Sequence, residues 1–327
     1  MKPMKYSLMS LMVDSELRHN TVNFMLSAML RAAGVQDIPQ DADEAYALAG
    51  ERGLPLKNGT ASFEDLVRFT KEHGFDALDM MSYQMEAPGE TLREILEKYG
   101  VTLSAVNIIS PFSEAADEAD FQRMLERTKA EIDLAIAAGA ENIMLVPGGY
   151  QNRCGYTREQ LYQNMVRGVR EGLAYTDGRA SFSTETLETS SLPWCSLGEM
   201  QRILDAVPGL MYTHDTGNPL VANEDPAALC SRFRNRVVRV HFKDLGYTEA
   251  EENAYRCMDG RYLRLVPLGT GVVDFAAHLR LLDEIGFDGY ITLEGGRPTG
   301  DPWQRAVSAL TFFRDMEQAL NMAAAKS

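Results

Sequence analysis

Short apolar runs rich in Val, Ile, Leu and Met recur eight times along the chain, most followed by a polar turn and an amphipathic helical stretch. The strands this repeat predicts lie near Tyr6 to Met12, Ala77 to Met81, Thr102 to Ile109, Asn142 to Val146, Ser181 to Glu185, Met211 to Asp215, Val237 to Phe242 and Tyr290 to Glu294. Strands alternating with helices imply a parallel sheet, and eight such units imply closure into a (β/α)8 barrel. The length of 327 residues is ordinary for one such barrel, so a single domain spanning residues 1–327 is expected.

Local signals support the repeat. Ser62, followed by Glu64 and Asp65, predicts a helix start, and His73-Gly74 the matching stop. Gly100, Gly139 and Gly286 each stand where a helix must end just before a strand. Two segments exceed the usual connection length: Asp14 to Ala61, read as extra helical structure after the first strand, and Gly246 to Val273, read as a long loop between the last two strands. The second carries Tyr247, Tyr255, Arg256, Arg261 and Tyr262 and is a candidate lid.

Charge excludes whole classes of partner. With 32 basic against 47 acidic residues, the net charge of −15 repels nucleic acid and anionic membrane surfaces. The N-terminal run has no cleavage-site pattern and reads as a strand, and no stretch approaches the roughly 20 apolar residues that span a bilayer. Cys154, Cys195, Cys230 and Cys257 are scattered, without a CxxC pair. A soluble, cytoplasmic protein is therefore expected, with homo-oligomerisation left open.

Active sites of such barrels lie at the C-terminal ends of the strands, and four of the predicted strands end on or beside an ionisable side chain: Glu185, Asp215, His241 and Glu294. Side chains alternate along a strand, so Ser183 with Glu185, Thr213 with Asp215, Arg239 with His241, and Thr292 with Glu294 share an inward face. Three carboxylates converging in a half-dry barrel mouth repel one another unless a cation neutralises them. One divalent metal ion is thus expected on Glu185, Asp215, His241 and Glu294. Oxygen-rich ligation favours Mn²⁺, with Mg²⁺, Co²⁺ and Zn²⁺ as alternatives. Glu188 and His214 are weaker ligand candidates, the first lying past its strand and the second on the opposite face. Lys243 and Arg297, just beyond the strand ends, are candidate substrate contacts, and Trp194 is a candidate sugar-stacking face. The turn Pro147-Gly148-Gly149-Tyr150 is a candidate for close backbone approach to substrate.

The segments Met211-Tyr-Thr-His-Asp-Thr-Gly-Asn218, Val240-His-Phe-Lys-Asp244 and Pro267-Leu-Gly-Thr-Gly-Val-Val-Asp274 make the chain resemble the xylose-isomerase-like TIM barrel superfamily, in particular its sugar phosphate isomerases and epimerases. The resemblance extends from about the second strand onward and is strongest from Glu185 to Glu294. It implies that Glu185, Asp215, His241 and Glu294 bind the metal, and that Glu185 and Glu294 also transfer protons. Many relatives have His where this chain has Asn218, so a substrate contact there falls to an amide.

The expected activity is accordingly that of a sugar or sugar phosphate isomerase or epimerase, moving a proton beside a carbonyl through an enediolate. The alternative keeps the metal and makes the chain a dehydratase or other lyase on a cyclic polyol or keto acid. A DNA-repair endonuclease is disfavoured by the acidity and by a total of five histidines, and a non-catalytic sugar-binding role by the complete ligand set. The expected partner is a small sugar or polyol.

Overall fold

The computed structural model describes residues 1–54, 56–148, 154–295 and 300–325. In chain order, β1 (Lys5–Met9) is followed by α1 (Phe24–Ala32), α2 (Ala42–Glu51) and α3 (Phe63–Glu72). Then come β2 (Ala77–Met81) with α4 (Gly89–Tyr99), β3 (Thr102–Ile109) with α5 (Glu118–Ala137), and β4 (Asn142–Val146) with α6 (Arg158–Thr176). β5 (Ser181–Thr184) leads to α7 (Leu197–Ala206), β6 (Met211–Asp215) to α8 (Pro226–Phe233), and β7 (Val237–Phe242) to three short strands, β8 (Leu245–Thr248), β9 (Tyr255–Arg256) and β10 (Tyr262–Leu265). The chain closes with α9 (Phe275–Glu284), β11 (Tyr290–Leu293) and α10 (Pro302–Ala324).

β1 to β7 and β11 form a closed barrel in the order β1-β11-β7-β6-β5-β4-β3-β2. Neighbours in it run parallel, as the alternation of strands and helices predicts. The first strand is shorter than expected, ending at Met9 because Ser10 to Glu16 wind into a 3₁₀ turn. The turn has a specific anchor: Ser10 Oγ accepts the backbone N–H of Met81, at the end of β2. Likewise β5 and β11 stop one residue short of Glu185 and Glu294, which occupy the first loop positions.

The helix signals act where the sequence places them. Ser62 caps α3 in a reciprocal pair with Asp65. Gly100 ends α4 at φ 62°, a left-handed conformation that favours a residue without Cβ. The outward face of the barrel packs on the helices through aromatic contacts: the Phe242 ring centroid lies 4.9 Å from both Phe275 on α9 and Phe313 on α10. Burying one such ring contributes about 1.5–3 kcal/mol. Gly172 lets α6 approach β5, since a Cβ there would lie 2.8 Å from Phe182 Cζ.

Both long excursions contain secondary structure. α1 and α2 enclose a small core of their own around Leu26, Leu30, Val35, Ala45, Tyr46 and Ala49. The segment expected to be a long loop instead carries the antiparallel sheet β8-β10-β9, whose Leu245 and Leu263 form a small core with Val221 and Cys257. Among the described residues, no helix is long and apolar enough to cross a membrane.

Candidate metal centre

Strand register builds the site. Asp215 pairs with His241 across β6 and β7, and His241 with Thr292 across β7 and β11. The inward parity is visible in the hydrogen bonds beneath them: Ser183 Oγ meets Thr213 Oγ1 at 2.8 Å, and Thr292 Oγ1 donates to Asp79 Oδ2 at 2.8 Å. His214 faces the other way, stacked on His278 of α9 with centroids 5.5 Å apart.

Glu185, Asp215 and His241 each offer a ligand atom, and these three atoms lie within 4.8 Å of one another. His241 Nδ1 is 3.0 Å from Glu185 Oε2, 3.2 Å from Glu294 Oε2 and 4.0 Å from Asp215 Oδ2. Glu185 Oε2, Asp215 Oδ2 and His241 Nδ1 are buried and have no hydrogen-bond partner. Buried polar atoms without partners are costly, and three that converge on one point suit a shared cation. The donor set fits a divalent ion.

The neighbouring atoms hold the site in place. Asp215 Oδ1 accepts the backbone N–H groups of Gly217 at 2.7 Å and Asn218 at 2.6 Å, so the turn of the Asp-Thr-Gly-Asn motif fixes the carboxylate and leaves Oδ2 without a hydrogen bond. Lys243 Nζ, 3% exposed, sits 2.8 Å from Glu294 Oε1, 3.1 Å from Asn218 Oδ1 and 3.6 Å from Asp215 Oδ2. Asn218 Nδ2 in turn donates to Thr186 O at 2.7 Å.

This placement splits the carboxylates. Burial pushes Asp215 up to about 7, despite the more distant ammonium. Burial also opposes ionisation of Glu294, but Lys243 and His241 outweigh it and hold that carboxyl at about 2. Glu294 has the shorter contact with Lys243, 2.8 against 3.6 Å, and His241 beside it, whereas Glu185 and Glu294 both push Asp215 further up.

The other two motifs meet each other. Asp244 Oδ2 accepts the backbone N–H of Gly269 at 2.9 Å and of Gly271 at 2.8 Å, so the Asp of His-x-Lys-Asp holds the Pro-Leu-Gly-Thr-Gly turn. This role was not readable from the sequence, because the partners are distant backbone groups.

Not every candidate reaches the site. Trp194, expected to offer a stacking face, is 0% exposed; its indole donates to Thr184 Oγ1 at 3.2 Å and its ring lies in the apolar core, a packing role. Arg297, Gly149 and Tyr150 lie outside the described residues. Gly148 is closely packed: a Cβ there would come 2.8 Å from Leu192 Cδ1. Glu188 is pushed up by burial beside Lys243, without a place among the three converging ligand atoms.

Sequence reasoning missed Asp79 and Asn107, which are fully buried inside the barrel below His241. The signal was present as a lone acid in Ala77-Leu-Asp-Met-Met81, where every other residue is apolar.

The inosose dehydratase of Lacticaseibacillus casei is 28% identical over 105 residues, covering 30% of this chain and 35% of that enzyme, so the chain spans about a third of that relative's length in the match. The 3-dehydroshikimate dehydratase of Bacillus anthracis is 24% identical over 239 residues, covering 68% of this chain and 82% of that enzyme. Among solved structures, the IOLI protein with a zinc atom superposes with a TM-score of 0.66 at 14% identity, covering 96% of this chain and 98% of that one, a likeness of fold. The expectation of an isomerase is corrected by the sequence relatives, which are named as inosose and 3-dehydroshikimate dehydratases. The family model of the xylose isomerase-like TIM barrel matches residues 67–316, most of the barrel and all four strand ends just described, and the chain belongs to that family.

Proposed function

We propose that this protein is a divalent-metal-dependent dehydratase acting on a small cyclic polyol ketone or keto acid. The observation that carries the metal is the convergence of unpartnered Glu185 Oε2, Asp215 Oδ2 and His241 Nδ1. The dehydratase names of the sequence relatives support the reaction class. Glu294 is the fourth ligand in this reading, its Oε2 3.2 Å from His241 Nδ1.

A divalent ion held there supplies Lewis-acid polarisation of a substrate oxygen. The chain's own residues do the rest. In this reading Glu185 and Glu294 are the proton-transfer carboxylates, one of them taking the proton from the carbon beside the substrate ketone. Lys243, already donating toward Glu294 and Asn218, and Asn218 itself bind substrate hydroxyls, with the Lys243 ammonium orienting the departing oxygen. The C–H bond breaks at one carbon and the C–O bond at its neighbour, a C=C bond forms between them, and the proton and hydroxide leave as one water. Arg297 is a further substrate contact in this reading.

The test is a screen of free inososes and 3-dehydroshikimate-type keto acids with protein reconstituted with Mn²⁺, Mg²⁺, Co²⁺ or Zn²⁺, Mn²⁺ first. The expected product is lighter than the substrate by one water and absorbs as a conjugated ketone, and chelation of the metal stops its formation. A product of unchanged mass, or dehydration that survives complete chelation, would sink the proposal.

A further inference from the structure

Directly beneath His241, the barrel interior holds a buried charge pair that the proposed reaction does not use. Arg239 is 1% exposed and Asp79 0%. Arg239 Nη2 lies 2.9 Å from Asp79 Oδ2, donates to Asn107 Oδ1 at 2.9 Å, and is in contact with His241 Nε2. Asn107 Nδ2 donates to Asp79 Oδ1 at 2.7 Å, and Thr292 Oγ1 to Asp79 Oδ2 at 2.8 Å. The Asp79 carboxylate is thus fixed from three strands, β3, β7 and β11.

The pair is poor as a purely structural device. Of the guanidinium nitrogens, Nη2 makes all of these contacts, whereas Nε and Nη1 are buried without partners. A buried pair of this kind rarely stabilises more than apolar residues of the same size would. Its position relative to His241 gives it a different use.

A neutral imidazole has one N–H and one acceptor nitrogen, and a nitrogen that ligates a metal must be the one without hydrogen. With Nδ1 turned to Glu185, Asp215 and Glu294, metal ligation requires the hydrogen on Nε2. A guanidinium has no acceptor, so Arg239 cannot receive it. Asp79 Oδ2, 3.6 Å from Nε2, is the carboxylate oxygen on that side of the ring among the described residues.

Resting on the metal centre proposed above, we infer that Asp79 is a positioning residue: it accepts the Nε2–H of His241, orients the ring with Nδ1 toward the metal, and is itself held by Arg239, Asn107 and Thr292. Metal entry then requires the Arg239 Nη2 contact with Nε2 to give way to the Asp79 hydrogen bond. Carboxylate–histidine–metal relays of this form tune affinity from outside the ligand shell.

The experiment uses the full chain with Zn²⁺ and Co²⁺ as probes. Asp79→Asn alone strands a buried cation and can unfold the barrel, so the charge-balanced variants Asp79→Leu/Arg239→Met and Asp79→Asn/Arg239→Met are compared. The first lacks any acceptor and is expected to bind Zn²⁺ roughly 10- to 100-fold more weakly, with a shifted Co²⁺ visible spectrum. The second keeps a carbonyl acceptor and is expected to recover part of both. A folded Asp79→Leu/Arg239→Met protein with wild-type affinity and an unshifted Co²⁺ spectrum overturns the proposal. Independently of any variant, long-range ¹H–¹⁵N correlation of the Zn²⁺-loaded wild type should find the His241 hydrogen on Nε2, and its absence there equally overturns it. Wild-type protein that takes up neither ion would instead remove the metal centre itself.

Discussion

Asp244 Oδ2 accepts the backbone N–H of Gly271 at 2.8 Å, across a gap so tight that a Cβ on Gly271 would lie 2.2 Å from Asp244 Oδ1. This contact ties the residues just after β7, where Lys243 follows the strand that carries His241, to the turn that leads into α9. Gly271→Ala must push the turn off the carboxylate. We expect a loss of about 1–3 kcal/mol of stability, read as a lower midpoint in thermal or urea unfolding. An unchanged midpoint would show that the turn yields freely.

Asp215→Asn and His241→Ala remove proposed metal ligands while leaving both carboxylates proposed to move protons. Metal content of protein purified without chelator should fall from near one equivalent in the wild type to a small fraction, and excess ion should restore part of the turnover. Normal metal affinity in either variant would remove that residue from the ligand set.

Glu185→Gln and Glu294→Gln replace carboxylates that can accept a proton by amides that cannot. Turnover should fall by at least about 10²-fold, the ordinary contribution of a positioned base. Metal content is measured on the same samples, so that loss of ligation is separated from loss of proton transfer. A variant that keeps both its metal and most of its turnover has no part in moving the proton.

Trp194 is enclosed, and its one polar atom is satisfied by Thr184. Trp194→Ala should therefore cost about 3–5 kcal/mol of stability, as for other buried aromatics cut to Ala. Trp194→Phe, which keeps most of the volume, should leave KM near the wild-type value. A large rise in KM with unchanged stability would return Trp194 to the substrate site.

Removing the metal should destabilise the fold, because it leaves the buried oxygens Glu185 Oε2 and Asp215 Oδ2 without a hydrogen-bond partner and Lys243 as the nearby ammonium for three carboxylates. Thermal unfolding with and without chelator is the measurement. A midpoint that does not respond to chelator or to added ion would count against a site built around one.

The barrel was legible in the sequence because each βα unit announces itself locally. Apolar runs at strand spacing, the Ser62 cap and the glycines after the helices are short-range signals, and their repetition implies closure. Parity within each strand was enough to send His214 outward to His278 and His241 inward, since side chains alternate whatever the partner strand. That much follows from the order of residues alone.

Contacts between distant parts of the chain were decided by the tertiary structure. Strand register brings Asp215 beside His241 and carries Asp79 under it, and no local pattern encodes the distance between residues so far apart in sequence. Trp194 reads equally well as a sugar platform or as core until the helical layer closes over it. Asp244 is one acid among many until the backbone of Gly269 and Gly271 folds onto it. Propensity and periodicity act over a few residues, whereas burial and convergence depend on the closed barrel, and in this protein the chemistry depends on convergence.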